Sequence, residues 1–215
     1  MKNILLVLIL MFTSLVQAQE IRFGFHGGVN FVNADYEQSM DGATRNIDTD
    51  LRVSSYFGGF AEYSIPGMEH KLQSGLSLNF NGYNTKDDLS NDFKIKSNLK
   101  ITQINLPVIL KFNSSRGVFI NAGVYLGAIV DVEQKTSIYG TSNDQSINST
   151  IDLTSEFKTF DFGLSLGAEY NLDNGLFFEF RFNSGLRNIL KDRDDGFDSR
   201  ELNNKFIMLG LGYKI

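Results

Sequence analysis

Apolar and polar residues alternate one by one along most of this chain, and no other feature restricts its fold as strongly. Between residues 118 and 132 the even positions are all apolar: Val118, Ile120, Ala122, Val124, Leu126, Ala128, Val130 and Val132. Most positions between them are polar or small, as at Asn121, Gly123 and Asp131. A period of two residues is typical of a β-strand with two different faces, whereas a helix repeats every 3.6 residues. The pattern predicts an all-β protein.

Eight segments share this alternation. They lie approximately at 21–31, 51–65, 71–80, 103–112, 118–132, 160–170, 176–187 and 207–215. Short connections at 66–70, 113–117 and 171–175 have turn chemistry, and long polar connections cover roughly 34–50, 84–95, 133–157 and 188–204. An even number of strands with tight turns at one end and long loops at the other indicates a transmembrane barrel. We expect an eight-stranded antiparallel up-and-down transmembrane β-barrel.

Alternation alone also fits a soluble β-sandwich or a lipocalin-like cup, so the distribution of small residues must decide. Glycines concentrate on the polar face: Gly58, Gly75, Gly123, Gly127, Gly163, Gly167 and Gly185. An eight-stranded barrel has a narrow interior, which places the small residues inside and bulky Phe, Leu, Ile and Val outside. Such an apolar exterior requires lipid. Aromatic residues near strand ends are expected to form interfacial girdles: Phe23, Phe31, Tyr63, Phe80, Phe112, Tyr170 and Tyr213.

Composition and the N-terminus agree with export to an outer membrane. The 215 residues carry a net charge of −5 and no Cys. The absence of Cys excludes a disulfide framework, and the negative charge argues against a nucleic-acid partner. The mean hydropathy of −0.14 is too low for several membrane-spanning helices. Lys2, an apolar run at 4–12 and small residues up to Ala18 have the order of a secretory signal peptide. We therefore expect a cleaved signal at 1–18 and one barrel domain at 19–215.

Several stretches resemble the PorT-like outer-membrane β-barrel family of Bacteroidota. They are 23–31 (FGFHGGVNF), 56–63 (YFGGFAEY), 106–112 (LPVILKF), 121–127 (NAGVYLG), 161–170 (DFGLSLGAEY), 180–189 (FRFNSGLRNI) and 209–214 (LGLGYK). The chain departs from the family at Gly75 and Asn105, where relatives often carry an acidic residue, and at Ile215, where they often end in Phe. The resemblance implies an outer-membrane barrel, and a link to type IX secretion through the family's founding members.

The polar face carries five basic and five acidic residues that we expect inside the barrel. They are Arg22, Arg52, Lys111, Arg181 and Arg187, with Glu62, Asp131, Asp161, Glu169 and Glu179. Since isolated charge is costly in a narrow interior, equal numbers favour a salt-bridge network that fills the lumen. A gated polar pore or a small ligand site is the alternative. Glu179 and Arg181 are neighbouring inward positions and are predicted to form the centre of the network.

No catalytic or metal-binding motif stands out. His26 falls in mid-strand and His70 in a tight turn, so neither has the rim position that a hydrolase would need. The acidic loop 192–198 (DRDDGFD) lacks the ligand spacing of an EF-hand. Arg193 within it and Arg200 just after it suit a solvated or lipopolysaccharide-facing loop. We expect no enzyme activity, cofactor or metal.

The leading functional hypothesis is a monomeric, non-enzymatic barrel with a structural or interaction role, in protein secretion or envelope assembly. Its partners are then outer-membrane lipid, lipopolysaccharide and other envelope or secretion proteins. Both termini are expected in the periplasm and the long loops outside the cell. A small outer-membrane channel or a solute-binding barrel is the alternative function.

Overall fold

The fold is seen in a computed structural model that describes residues 21–40, 43–47, 49–90, 93–140, 146–191 and 199–215. The expected signal peptide at 1–18 and the acidic loop at 192–198 lie outside these residues. The strands are β1 (Ile21–Met40), β2 (Ala43–Ile47), β3 (Arg52–Ser64), β4 (Lys71–Ser90), β5 (Phe93–Ser115), β6 (Val118–Gly140), β7 (Ser146–Asp152), β8 (Phe160–Asn171), β9 (Leu176–Gly185) and β10 (Ser199–Lys214). A short 3₁₀ helix covers Thr154–Glu156.

Eight of these strands close into a barrel. The order around the wall is β10, β9, β8, β6, β5, β4, β3, β1, and β1 pairs again with β10 through a register running from Gly24 opposite Lys214 to Ser39 opposite Ser199. All pairings are antiparallel. β2 and β7 extend the wall beside β1 and β6. The predicted eight-stranded antiparallel barrel is therefore confirmed, with two additional short strands.

The outer face is apolar and exposed along every wall strand. Phe57, Leu76 and Leu166 are 57%, 61% and 58% exposed, although their strands are fully paired in the sheet. β8 has 12 residues and β9 has 10, which matches the roughly 9–11 residues that a tilted strand needs to cross a bilayer. In the described part of the chain, no helix is long and apolar enough to cross a membrane.

The two ends of the barrel differ. We call the end that holds Ile21, Lys214 and the tight turns the terminal end, and the opposite end the loop end. The regions expected as loops at 84–95 and 133–157 are largely strand, because β4, β5 and β6 continue far beyond the apolar band. β5 and β6 have 23 residues each, or about 75 Å of strand at ~3.3 Å per residue. This part of the prediction was wrong because the polar composition of these regions was taken as typical of loops. Residues 95–101 of β5 nevertheless alternate, with Ile95, Leu99 and Ile101 set between Lys96, Asn98 and Lys100.

A β-bulge in β6 corrects a second prediction. Thr102 of β5 pairs with Asp131 and Gln103 pairs with Ile129, so Val130 has no partner on β5. One extra residue reverses the alternation beyond it. Val132, expected on the lipid face, is fully buried. Asp131, expected inside, instead accepts a hydrogen bond from the Thr102 hydroxyl (3.4 Å), on the face of β5 that also carries exposed Ile104.

The lumen also contains bulky aromatic side chains, including phenylalanines, a residue type that was expected on the outside. Tyr56, Phe60, Tyr125, Phe177 and Phe206 are all buried. Inward glycines make room for them. A Cβ atom on Gly210 would overlap the Tyr56 hydroxyl, and one on Gly212 would overlap the Phe177 ring. The glycine excess of the polar face therefore accommodates particular aromatic rings, as well as the narrow bore.

Candidate functional site

Four charged side chains meet in the lumen near the terminal end, and we call them the charge square. They come from four different strands: Glu62 on β3, Lys111 on β5, Glu169 on β8 and Lys214 on β10. Lys111 Nζ donates to Glu62 Oε2 (2.7 Å) and to Glu169 Oε2 (2.6 Å). Lys214 Nζ donates to Glu62 Oε2 (2.8 Å) and to Glu169 Oε1 (2.6 Å). Each lysine thus bridges both carboxylates, and all four side chains are at most 3% exposed.

Further polar groups complete the hydrogen bonding around the square. Lys71 Nζ donates to Glu62 Oε1 (2.9 Å) from the terminal-end edge of β4. Asn171 donates to Glu169 Oε1 (2.9 Å) and accepts from Lys214 Nζ (2.7 Å). Buried charges are tolerated when they are paired and hydrogen-bonded, and this cluster satisfies both conditions.

Two phenylalanines lie against the lysines of the square. Lys214 Nζ is 5.0 Å from the centre of the Phe177 ring, and Lys111 Nζ is 5.5 Å from that of Phe60. The two rings meet edge to face, with centroids 5.7 Å apart. In such contacts the ammonium group is attracted electrostatically to the face of the ring. The aromatic pair thereby separates the square from the next layer of the lumen.

That next layer, the middle layer, is centred on Glu179. Its carboxylate accepts hydrogen bonds from Tyr56 Oη (2.6 Å) and His26 Nδ1 (2.6 Å), and its second oxygen is 2.9 Å from the Arg181 guanidinium. Arg181 also donates to Gln73 Oε1 (3.2 Å) across the lumen. The ionised carboxylate only accepts, which assigns the proton of the His26 contact to Nδ1. His26 is thus a structural partner of Glu179.

A third layer, the amide layer, surrounds Asp161. Asp161 Oδ2 accepts from Gln103 Nε2 (3.2 Å), Tyr125 Oη (3.2 Å) and Asn204 Nδ2 (3.1 Å). All three donors are neutral, so this carboxylate is held by hydrogen bonds of the kind that buried polar groups require. Asn204 and Asn81 both donate to Gln103 Oε1 (3.5 and 3.1 Å), which links the layer across β4, β5 and β10.

Beyond the amide layer an apolar plug fills the lumen at the loop end. Its buried residues are Ala34, Leu99, Ile101, Ile129, Val132, Phe157, Ile189, Leu190 and Leu202. The segments 153–159 and 186–191 supply Phe157, Ile189 and Leu190, and they continue the wall above β8 and β9 through backbone hydrogen bonds from Lys158 to Ile189 (2.8 Å) and from Ile189 to Leu202 (3.0 Å). Tyr83 packs against the plug, where burial, with Tyr36 nearby, raises the pKa of its hydroxyl. Among the described residues, a buried apolar cluster thus lies between the amide layer and the loop end of the barrel.

Six of the ten predicted interior charges belong to these layers. Glu62, Lys111 and Glu169 lie in the square, Glu179 and Arg181 in the middle layer, and Asp161 in the amide layer. The six residues thus lie at three different heights in the lumen. Glu179 and Arg181, predicted to form the centre of the network, belong to the middle layer next to the charge square and are not part of the square.

The other four predicted charges lie elsewhere. Arg22 is exposed at the terminal end, although its backbone is in register with Glu62. Arg52 lies at the loop end, where it donates to the Asn98 side chain and to the Leu99 carbonyl oxygen (2.9 Å). Asp131 is moved to the outer face by the bulge, and Arg187 follows the end of β9. Arg52, Asp131 and Arg187 fall at or beyond the point where regular alternation stops, so the face predicted for them was unreliable.

Several members of the layers were not among the predicted site residues. They are Lys71, Lys214, His26, Tyr56, Tyr125, Gln73, Gln103, Asn81, Asn171 and Asn204. Lys214 and His26 occupy inward positions of the alternation, so parity alone would have included them. Tyr56 also has inward parity, two residues from Ser54 and Gly58. Within the described residues, no three His, Asp or Glu side chains are grouped so that they could hold a metal ion.

The closed wall, the lipid-facing exterior and the layered interior define a small transmembrane β-barrel. The chain belongs to the outer membrane protein beta-barrel domain family, whose model matches residues 17–191. Its place is therefore the outer membrane. No curated protein matches the chain.

Solved outer-membrane barrels are similar in architecture and distant in sequence. The attachment invasion locus protein Ail of Yersinia pestis is 11% identical, with 92% of this chain and 100% of Ail covered and a TM-score of 0.41. Neisserial surface protein A is 14% identical, with 90% and 97% covered and a TM-score of 0.41. A major outer membrane protein from Thermus thermophilus is 13% identical, with 91% and 99% covered and a TM-score of 0.43.

Proposed function

We propose that this protein is a sealed, non-enzymatic barrel that presents the long β4–β5–β6 wall at its loop end for interactions in the cell envelope. The observation that carries the proposal is the succession of charge square, middle layer, amide layer and apolar plug across the whole lumen. A barrel built to conduct would keep a continuous polar path, as porins do.

Planar-bilayer recording of the purified full chain tests the sealed lumen. We expect no steps of conductance above the bare bilayer, under conditions in which a porin inserted in the same bilayers gives clear openings. Reproducible open conductance from this protein would overturn the proposal and favour the alternative, a small channel.

The orientation is part of the proposal, with the termini in the periplasm and the loop end outside the cell. The absence of Cys allows single introduced thiols to report on it. Ser149→Cys in exposed β7 should react with a membrane-impermeant maleimide on intact cells, and Ser115→Cys beside the β5–β6 turn should react only after the outer membrane is opened. The reverse labelling pattern would show that the barrel has the opposite orientation in the membrane.

The resemblance to PorT-like proteins supports a role in secretion or envelope assembly. Deletion of the gene followed by comparison of the secreted proteins tests this role. We expect selective loss of exported cargo or a change in envelope composition. Unchanged export together with an unchanged envelope would count against it.

A further inference from the structure

A polar recess on the loop-end extension has the composition of an anion site. It has a volume of about 270 Å³ and is lined by Lys96, Lys135, Asn84, Asn98 and Ser137, with two further hydroxyl-bearing residues of β4 and β5. None of the described side chains that line it is acidic, although the chain as a whole carries a net charge of −5. Ser137 donates its hydroxyl hydrogen to Asn148 Oδ1 (2.7 Å), and Lys96 Nζ lies 5.2 Å from the centre of the Tyr139 ring. The two ammonium groups and the remaining N–H groups of the asparagine amides are suited to bind an oxyanion on a hydroxylated ligand.

The two asparagine side chains in the wall of the recess are held by hydrogen bonds to other protein groups. Asn98 donates from its amide nitrogen to the Asn84 side chain and accepts from the Arg52 guanidinium. Asn84 in turn donates to the Leu51 carbonyl oxygen (3.4 Å). The asparagine amides are therefore fixed by protein partners, and Arg52 adds a third positive charge adjacent to the recess. A fixed wall lowers the ordering cost of binding a ligand.

The height of the recess above the apolar band narrows the choice of ligand. Lys100 Nζ lies 5.8 Å from the centre of the Phe80 ring at the loop-side edge of the band, and 3.6 Å from the Glu133 carboxylate. Lys96 is four residues farther along β5, about 13 Å of strand, or roughly 10 Å along the membrane normal after strand tilt. Phospholipid headgroups occupy only about 5–7 Å on each side of the hydrocarbon core. The recess therefore lies at the level of sugars that extend beyond the lipid phosphates.

We infer that the recess binds a phosphorylated sugar of the surface glycolipid, with Lys96 and Lys135 contacting the phosphate. Its volume, close to the lower limit for ligand pockets, suits a single sugar unit. This inference rests on the proposed outward orientation of the loop end. Occupation of the site would anchor the extended wall to the glycolipid layer that surrounds the barrel.

Titration of the detergent-solubilised full chain with the deacylated, phosphorylated core oligosaccharide of lipopolysaccharide tests the site. We expect binding, and about tenfold weaker binding by Lys135→Gln, because the substitution removes one of the two ammonium groups that contact the phosphate. The matched control, Arg116→Gln, also removes one positive charge, but from a 91% exposed side chain at the terminal end. It should bind as the wild type does.

Three further ligands distinguish the sources of the phosphate. The dephosphorylated oligosaccharide, inorganic phosphate alone and phosphatidylglycerol in mixed micelles should each bind at least tenfold more weakly. Equal binding of the dephosphorylated sugar would overturn the role of phosphate, and equal binding of either non-sugar probe would overturn the role of the sugar. Equal binding by Lys135→Gln and wild type would overturn the site itself. In detergent, binding depends neither on the orientation of the barrel in a membrane nor on its conductance. A negative titration can therefore be distinguished from a negative result in the orientation or conductance experiment.

Discussion

Replacement of Lys111 by methionine is the most direct perturbation of the charge square. The substitution keeps an apolar stem of similar length and removes the ammonium group that contacts Glu62 (2.7 Å) and Glu169 (2.6 Å). Both ion pairs are buried, with exposures of 0–1% for the side chains concerned. Removing one partner of a buried ion pair typically costs about 3–5 kcal/mol, because the remaining charge loses its compensation.

The geometry places the expected cost near the lower end of that range. After the substitution Glu62 keeps Lys71 (2.9 Å) and Lys214 (2.8 Å), and Glu169 keeps Lys214 (2.6 Å) and Asn171 (2.9 Å). Glu62 therefore retains two ammonium contacts, and Glu169 retains one. We expect Lys111→Met to lower the free energy of unfolding by about 3 kcal/mol. Lys71→Met removes one ion pair from a side chain that is 18% exposed, and should cost about 1 kcal/mol or less.

Urea titration of the protein in lipid vesicles measures these differences. Circular dichroism and heat-modifiable gel migration are suitable probes, since the chain contains no Trp. The double variant Lys111→Met/Glu169→Gln restores the charge balance, so its cost should be at least about 2 kcal/mol below the sum of the two single costs. An unchanged midpoint for Lys111→Met, or simple additivity in the double variant, would refute the reasoning.

Three further substitutions test other parts of the structure. Gly212→Ala should destabilise the barrel by about 1–3 kcal/mol, because its Cβ would overlap the Phe177 ring and the Phe25 carbonyl oxygen. Gly59→Ala is the control, since a Cβ there would have only the Gly24 carbonyl oxygen nearby, at 3.7 Å. Equal urea midpoints for the two variants would contradict the packing described around Gly212. Leu164→Arg, at a 48% exposed lipid-facing position of β8, should lower the free energy of unfolding in bilayers by about 2–4 kcal/mol. Thr150→Arg in exposed β7 should have little effect. If the barrel tolerated both substitutions, that would argue against a lipid-facing band. Ile189→Ala should cost about 2–5 kcal/mol through a cavity in the apolar plug, and Leu186→Ala, at a 56% exposed position, should cost less when the two are compared by urea titration.

The strand faces could be predicted from the sequence because side-chain parity does not depend on where a strand begins or ends. Leu164 and Asp161 differ by an odd number of residues, and the structure puts them on opposite faces of β8, exposed and buried respectively. Beyond a bulge, odd and even positions no longer predict the same faces. Val130 is the extra residue in β6, nothing in the local sequence indicates it, and Asp131 and Val132 therefore lie on the faces opposite to those predicted.

The contacts within the lumen could not be predicted in the same way. Arg22 is in register with Glu62 on the neighbouring strand, and a sequence-based pairing would join the two. Glu62 instead contacts Lys111 and Lys214, which reach it from β5 and β10. Which inward side chains meet across a barrel depends on the stagger of its strands, and that stagger is set jointly by all eight pairings.

The charge square links strands that share no backbone hydrogen bonds. β3 pairs with β1 and β4, β5 with β4 and β6, and β10 with β9 and β1, so Glu62, Lys111 and Lys214 are connected only through the lumen. The sheet hydrogen bonds fix the order of the strands, and the square in addition restrains the distances across the bore. Lys214 can reach both glutamates only once β10 has paired with β1, because that pairing brings its strand to the far side of the ring. Closure of the wall and completion of the square are therefore coupled, and the stability of the seam between β1 and β10 should fall when either lysine of the square is removed.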